Sequence, residues 1–144
     1  MTQEQEQVHG PAATDHGSVL AEISKEMVHL YKDQFGRGPT KVRTSWGGPD
    51  LLVTILEDTL TPAERNLARL GEHERLRETR MFFQYASVAD FCDPVERLTG
   101  RKVRSFISGI DTNVDGLACE LFILHPAGSD APSRTEADSD GREG

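Results

Sequence analysis

The chain predicts an α+β domain in the order α-β-β-α-α-β-β, with a four-stranded antiparallel sheet and helices packed on one face. Three observations carry this expectation. Apolar residues recur at a 3.6-residue period over two long stretches. Two pairs of short apolar or alternating runs are each joined by a Gly-containing turn. A helix-capping signature lies between the pairs.

The first helix is expected from Ser18 to Phe35. Leu20, Ile23, Met27, Leu30, Tyr31 and Phe35 share one helical face. Ser18 suits the N-cap, and Gly36 with Pro39 beyond it suits the end. Thr40 to Trp46 alternates, with Val42, Thr44 and Trp46 opposite Lys41, Arg43 and Ser45, as a half-buried strand does. Gly47-Gly48-Pro49-Asp50 then turns into Leu51–Leu56, which is apolar on both faces and so belongs inside the sheet. Thr61, Pro62 and Glu64 supply an N-cap, a first-turn proline and a capping-box acid, opening a short helix that ends near Leu70-Gly71.

A longer helix is expected from about Glu72 to Thr99, with Met81, Tyr85, Val88, Cys92 and Val95 as its buried stripe. Phe82, Phe83, Ala86, Ala89, Phe91 and Leu98 widen the apolar surface beyond one face, which implies contact with a second surface. A proline inside a straight helix costs about 3 kcal/mol, so Pro94 predicts a kink or break, with Gly100 as the final stop. Lys102–Ser108 sets Val103, Ser105 and Ile107 opposite Arg104 and Phe106. Leu117–Leu124, in which Glu120 alone is charged, completes the sheet. So small a sheet with one uncovered face makes a homodimer the default expectation.

Charge is concentrated at the ends. The formal net charge is -8, of which residues 1–16 hold -3 and residues 126–144 hold -3, leaving -2 for the rest. Residues 1–17 and 126–144 lack aromatic and periodic apolar residues, so both are expected to be disordered acidic tails around a single domain at 18–125. The acidic balance argues against nucleic acid as a partner, because phosphates require a basic footprint. No apolar run approaches the roughly 18 residues of a membrane span, and the acidic start is unlike a secretory leader. A cytoplasmic location is the expectation, and Cys92 and Cys119, far apart in sequence, are expected as reduced thiols.

The motifs are mostly structural. Asp111-Thr112-Asn113-Val114-Asp115-Gly116 matches the opening of an EF-hand loop, but the twelfth position is Phe122 rather than a bidentate Glu, and a strand follows instead of a helix. It is read as a hairpin turn. Gly36-Arg37-Gly38-Pro39 lacks the Lys-Ser/Thr and the strand-to-helix setting of a phosphate loop, so it is read as a helix stop. His9, His16, His29, His73 and His125 show no metal-ligand spacing, and no nucleophile signature is present. No catalytic, metal or cofactor site is assigned. Two basic groups remain: Arg37, Lys41 and Arg43 about the first strand, and Arg101, Lys102 and Arg104 about the third. Were those strand starts to converge, they would form an anion-binding rim.

Five segments in order carry a family resemblance. They are Gly36-Arg37-Gly38-Pro39-Thr40, Leu51–Leu56 leading into Leu60-Thr61-Pro62-Ala63-Glu64-Arg65, Arg77-Glu78-Thr79-Arg80, Val95–Val103, and Glu120-Leu121-Phe122-Ile123-Leu124. Over roughly residues 18–125 the chain resembles the MpsC-type family, small bacterial proteins labelled as part of a sodium-translocating, membrane-potential-generating system. Asp93-Pro94 departs from the family's helix-favouring residues. The resemblance implies an accessory domain associated with membrane systems and brings no catalytic residues; within the matched segments Arg37, Arg77 and Arg80 are contact candidates. The leading expectation is a non-enzymatic, cytoplasmic, dimeric accessory domain that meets a membrane-protein complex at the inner face of the membrane. The alternative is a small-molecule or anion sensor using Arg37, Arg43, Arg101 and Arg104, with an unrecognised enzyme third.

Overall fold

The computed structural model describes residues 11–136. Helix α1 spans Pro11–Phe35, strand β1 Lys41–Trp46, β2 Leu51–Glu57, α2 Pro62–Arg69, α3 His73–Ala86, α4 Val88–Thr99, β3 Val103–Asp111 and β4 Leu117–Leu124. The four strands form one antiparallel sheet in the order β1-β2-β4-β3. Both hairpins are therefore intact, and β4 pairs with β2 at the centre. The expected fold class is the observed one.

The helices cover one face. From the sheet, Leu52 and Leu56 of β2, Ala118, Phe122 and Leu124 of β4, and Val103 and Phe106 of β3 point into the core. They meet Ile23, Met27 and Tyr31 of α1 and Val88, Phe91, Cys92 and Val95 of α4. The Phe91 ring stacks on Phe106 at 5.5 Å, and Phe106 packs on Phe122 at 5.2 Å, tying α4 to the sheet through aromatic contact.

Three local features differ from the sequence expectation. Helix α1 begins at Pro11, so Ser18 lies inside it and caps nothing; proline suits a first helical position, where its missing N–H has no partner to lose. The expected long helix is two helices, and the break falls at Ser87 rather than at Pro94. Helix α4 runs through Pro94, which is buried. Ser87 (φ -116°, ψ 30°) leaves helical geometry and resets the phase of the buried stripe. As a result α3 buries Leu76, Arg80 and Gln84, while Met81 is exposed. Strand β3 carries an irregularity between Val103 and Ser105, so Phe106, Ser108 and Ile110 fall on the core side and Ile107 on the other.

The connections follow the expected chemistry. Gly36 (φ 79°) ends α1 with its N–H on the Lys32 carbonyl. Thr61 and Glu64 form the reciprocal capping box of α2. The Asp111–Gly116 segment turns β3 into β4, with the Asn113 N–H on Asp111 Oδ1 at 3.0 Å. A Cβ on Gly116 would come within 2.5 Å of the Leu60 side chain, so this position requires glycine. Of the expected tails, residues 1–10 and 137–144 lie outside the described residues. Residues 11–17 belong to α1, and Ser133 is buried with its hydroxyl on Glu96 Oε2 at 2.7 Å, holding the segment after β4 against α4.

Candidate functional site

Two neighbouring features are built around α3: a buried polar cluster on its sheet-facing side and an apolar, charge-rimmed groove on its outer side. The cluster begins with Glu120. Along β4 it is in phase with Ala118, Phe122 and Leu124, so it points into the core and is fully buried. Its Oε2 accepts hydrogen bonds from the Tyr31 hydroxyl of α1 at 2.6 Å and from Gln84 Nε2 of α3 at 2.9 Å. The Gln84 amide also donates to the Tyr31 oxygen at 2.9 Å, closing a triangle.

One helical turn earlier on the same stripe lies Arg80, also fully buried. Its Nε reaches Glu64 Oε2 at 2.6 Å, and its Nη2 reaches Glu64 Oε1 at 2.9 Å and the Thr59 carbonyl at 2.5 Å. The guanidinium carbon sits 4.0 Å from the centroid of the Phe35 ring, a cation–π contact. Glu64 thus caps α2 and pairs with α3 through the same carboxylate. Thr59 in turn donates to the Gly116 carbonyl at 2.6 Å, so the β3–β4 turn is linked to the cluster.

Electrostatics divides the two carboxyls. Burial pushes Glu120 up to about 7, and the nearby Ser108 hydroxyl, the hydrogen bonds from Tyr31 and Gln84 and the field of Arg80 only partly oppose it. Burial alone would raise Glu64 too, but the Arg80 guanidinium and the Thr61 amide outweigh it and hold that carboxyl below its ordinary range. Tyr31 is raised well above its usual value by burial and by Glu120. Among the described residues, Arg80 Nη1, Gln84 Oε1, Ser108 Oγ and Glu120 Oε1 are buried with no hydrogen-bond partner. Such a group can hold a proton near neutrality, but its carboxyl has no exposed surface with which to reach a substrate. Its chemistry acts on the fold.

The outer side of α3 is different. Glu74, Arg77, Glu78 and Met81 face Gly109 and Ile110 of the edge strand β3 across an open groove of about 650 Å³. Met81, on the groove, is 37% exposed, and further round the same helix Phe82 is 70% and Phe83 43% exposed. Phe83 packs edge-on against Phe35 and Phe82 against Phe83, so the aromatic cluster is anchored in the fold and open to solvent on its outer side.

The arginines singled out in the sequence separate. Arg77 lies on the groove and is exposed. Arg80 is in the core, and so offers no surface contact. Arg37 donates to the Asp58 and Leu60 carbonyls at 2.7 Å each, bracing the β2–α2 loop. Arg101 fastens the β1–β2 turn to the end of β4, through the Pro49 and His125 carbonyls and Asp50. Arg43 and Arg104 are exposed on strands at opposite edges of the sheet. The starts of β1 and β3 also lie at opposite ends, since Lys41 pairs with Glu57 while Val103 pairs with Leu124. They form no common rim. Cys92 is buried in the core and Cys119 half-buried on the other face of the sheet, with no disulfide between them.

Sequence reasoning missed Glu120, Gln84 and Tyr31 as a unit. The readable signal was a lone acid at an inward position of an otherwise apolar strand. No group of three or more His, Cys, Asp or Glu suited to a metal ion occurs among the described residues.

Comparison with known proteins identifies a family. Residues 15–125 match the family described as "Na+-translocating membrane potential-generating system (MpsC)". The chain belongs to the MpsC family. A similar curated protein is "Uncharacterized protein YbcI" of Bacillus subtilis (strain 168), 33% identical over 91 residues, covering 62% of this chain and 73% of the relative. No solved structure matches the chain significantly. The MpsC match takes in α3 and its cluster, and no helix among the described residues is long and apolar enough to cross a membrane.

Proposed function

We propose that this MpsC-family chain is a non-catalytic docking domain, working in the cytoplasm, that binds a protein subunit of a membrane complex through the outer side of α3. The observation that carries the reading is the exposure of the touching Phe82 and Phe83 rings on the same helix whose Met81 lines the groove. Burying aromatic surface of this kind supplies most of the energy of a protein contact, and a charged rim such as Glu74, Arg77 and Glu78 sets its orientation. The family description, with its membrane-potential-generating system, supports a membrane complex as the place of docking.

The test is an affinity capture from gently solubilised native cells, comparing the wild type with Phe82→Ser and Arg77→Glu. Both positions are exposed, so both variants keep the fold. Loss of a membrane-protein subunit from both captures is the expected result. Undiminished recovery of that subunit by both variants would refute the site.

A further inference from the structure

The face of the sheet turned away from the helices carries a second contact surface. We propose that it is a homodimer interface, in which a second copy packs face to face about a two-fold axis parallel to the strands. This surface requires neither Phe82 nor Arg77, so it stands apart from the docking reading above.

Register defines the surface. Its central row runs Ser45, Val53, Leu121, Ile107 across β1, β2, β4 and β3. The next row runs Arg43, Ile55, Cys119, Gly109, and the one on the other side pairs Leu51 with Ile123 and Ser105. The two central strands therefore present an unbroken apolar block. Among the described residues no helix packs on it, and Ile107 and Leu117 at its margin are 53% and 40% exposed. An antiparallel sheet with a solvated face normally alternates apolar with polar residues, and β2 and β4 do not.

Charge and shape then favour a second copy. The block is bounded at one end by a row in which Lys41 on β1 is paired with Glu57 on β2, and Asp111 on β3 with Leu117 on β4, so Lys41 and Asp111 stand at opposite edges of the sheet. A two-fold axis parallel to the strands lays β1 over β3 and β2 over β4 in the same rows. Val53 then faces Leu121 of the second copy, Ile55 faces Cys119, and Lys41 faces Asp111, with Glu57 over Leu117 between the two charge pairs. Arg43 comes to lie over Gly109, where even an added Cβ would meet open space. An axis across the strands would set β1 on β1 with its ends exchanged and would lose the Lys41–Asp111 match. Four strands about 4.8 Å apart and some seven residues long give a face of roughly 450 Å² in each copy. The two faces together bury roughly 900 Å², less than a stable specific interface, so the dimer is a weak one that dissociates on dilution.

Sedimentation velocity of the full chain over a hundred-fold concentration range tests this. The wild type should pass from monomer to dimer. Leu121→Arg, placed at the centre, should remain monomeric while keeping its helical circular dichroism. Lys41→Asp and Asp111→Lys, both at exposed positions, should each weaken dimerisation about tenfold, and the double exchange should restore it. The charge exchange decides the matter even where Leu121→Arg does not fold. A wild type that is monomeric throughout, or a dimer indifferent to all of these changes, overturns the proposal; the monomer would point to a terminal segment of the same chain as the cover.

Discussion

Glu120 and Arg80 are two buried charged residues with opposite consequences for stability. Glu120 has its folded-state value raised to about 7 from 4.5, so between these values the native chain binds more protons than the unfolded one. Its contribution is complete below the unfolded value and is lost as pH rises through the folded one, a swing on the order of 3 kcal/mol. Tyr31 from α1, Arg80 and Gln84 from α3, and Ser108 from β3 are the groups that face it, and Thr54 is its neighbour on β2. Urea midpoints should therefore fall from about pH 5 to about pH 8, and Glu120→Gln should abolish that fall. Parallel profiles for the two proteins would contradict the account. Glu64 works the other way: its lowered value gives stability above the ordinary carboxylate range that is lost in acid. Arg80→Ala strands the Glu64 carboxylate and empties a core position, so it should cost roughly 3 kcal/mol in urea unfolding. Arg77→Ala, at an exposed position, should change stability by less than about 0.5 kcal/mol. Equal losses would show that the two arginines are not divided between core and surface.

At the scale of elements, stop and start signals were legible because they are local. The capping box at Thr61 and Glu64 and the glycine ends of α1 and α4 depend on residues only a few positions apart. Thr61→Ala should destabilise the chain by about 1 kcal/mol, measured by thermal unfolding, because α2 loses its cap. The apolar period of α1 was legible for the same reason. What escaped was set by tertiary packing. Ser87 breaks the helix where no Pro or Gly marks a boundary, because α4 must swing to cover the sheet with Val88, Phe91, Cys92 and Val95. The shift within β3 reversed the inward set after Val103, which no alternation in Lys102–Ser108 could reveal. The separation of the basic groups came from strand order, which is a property of the sheet and of no single strand. Glu120 was visible as an odd acid, but its partners Tyr31 and Gln84 stand 89 and 36 residues away.

For the whole molecule, the helices seal one face of the sheet, and two surfaces remain to be used: the apolar back of the sheet and the aromatic run on α3. The MpsC family label names a membrane system, and no helix among the described residues is long and apolar enough to cross a membrane, so the proposed docking side of α3 is the surface to test. The most direct measurement is photocrosslinking in living cells, with a crosslinking amino acid placed at position 82 and, as a control, at the exposed Lys25 of α1. The account predicts a specific adduct between position 82 and one membrane-protein subunit, and none to that subunit from position 25. Adducts of equal yield from both positions, or none from position 82, would contradict it.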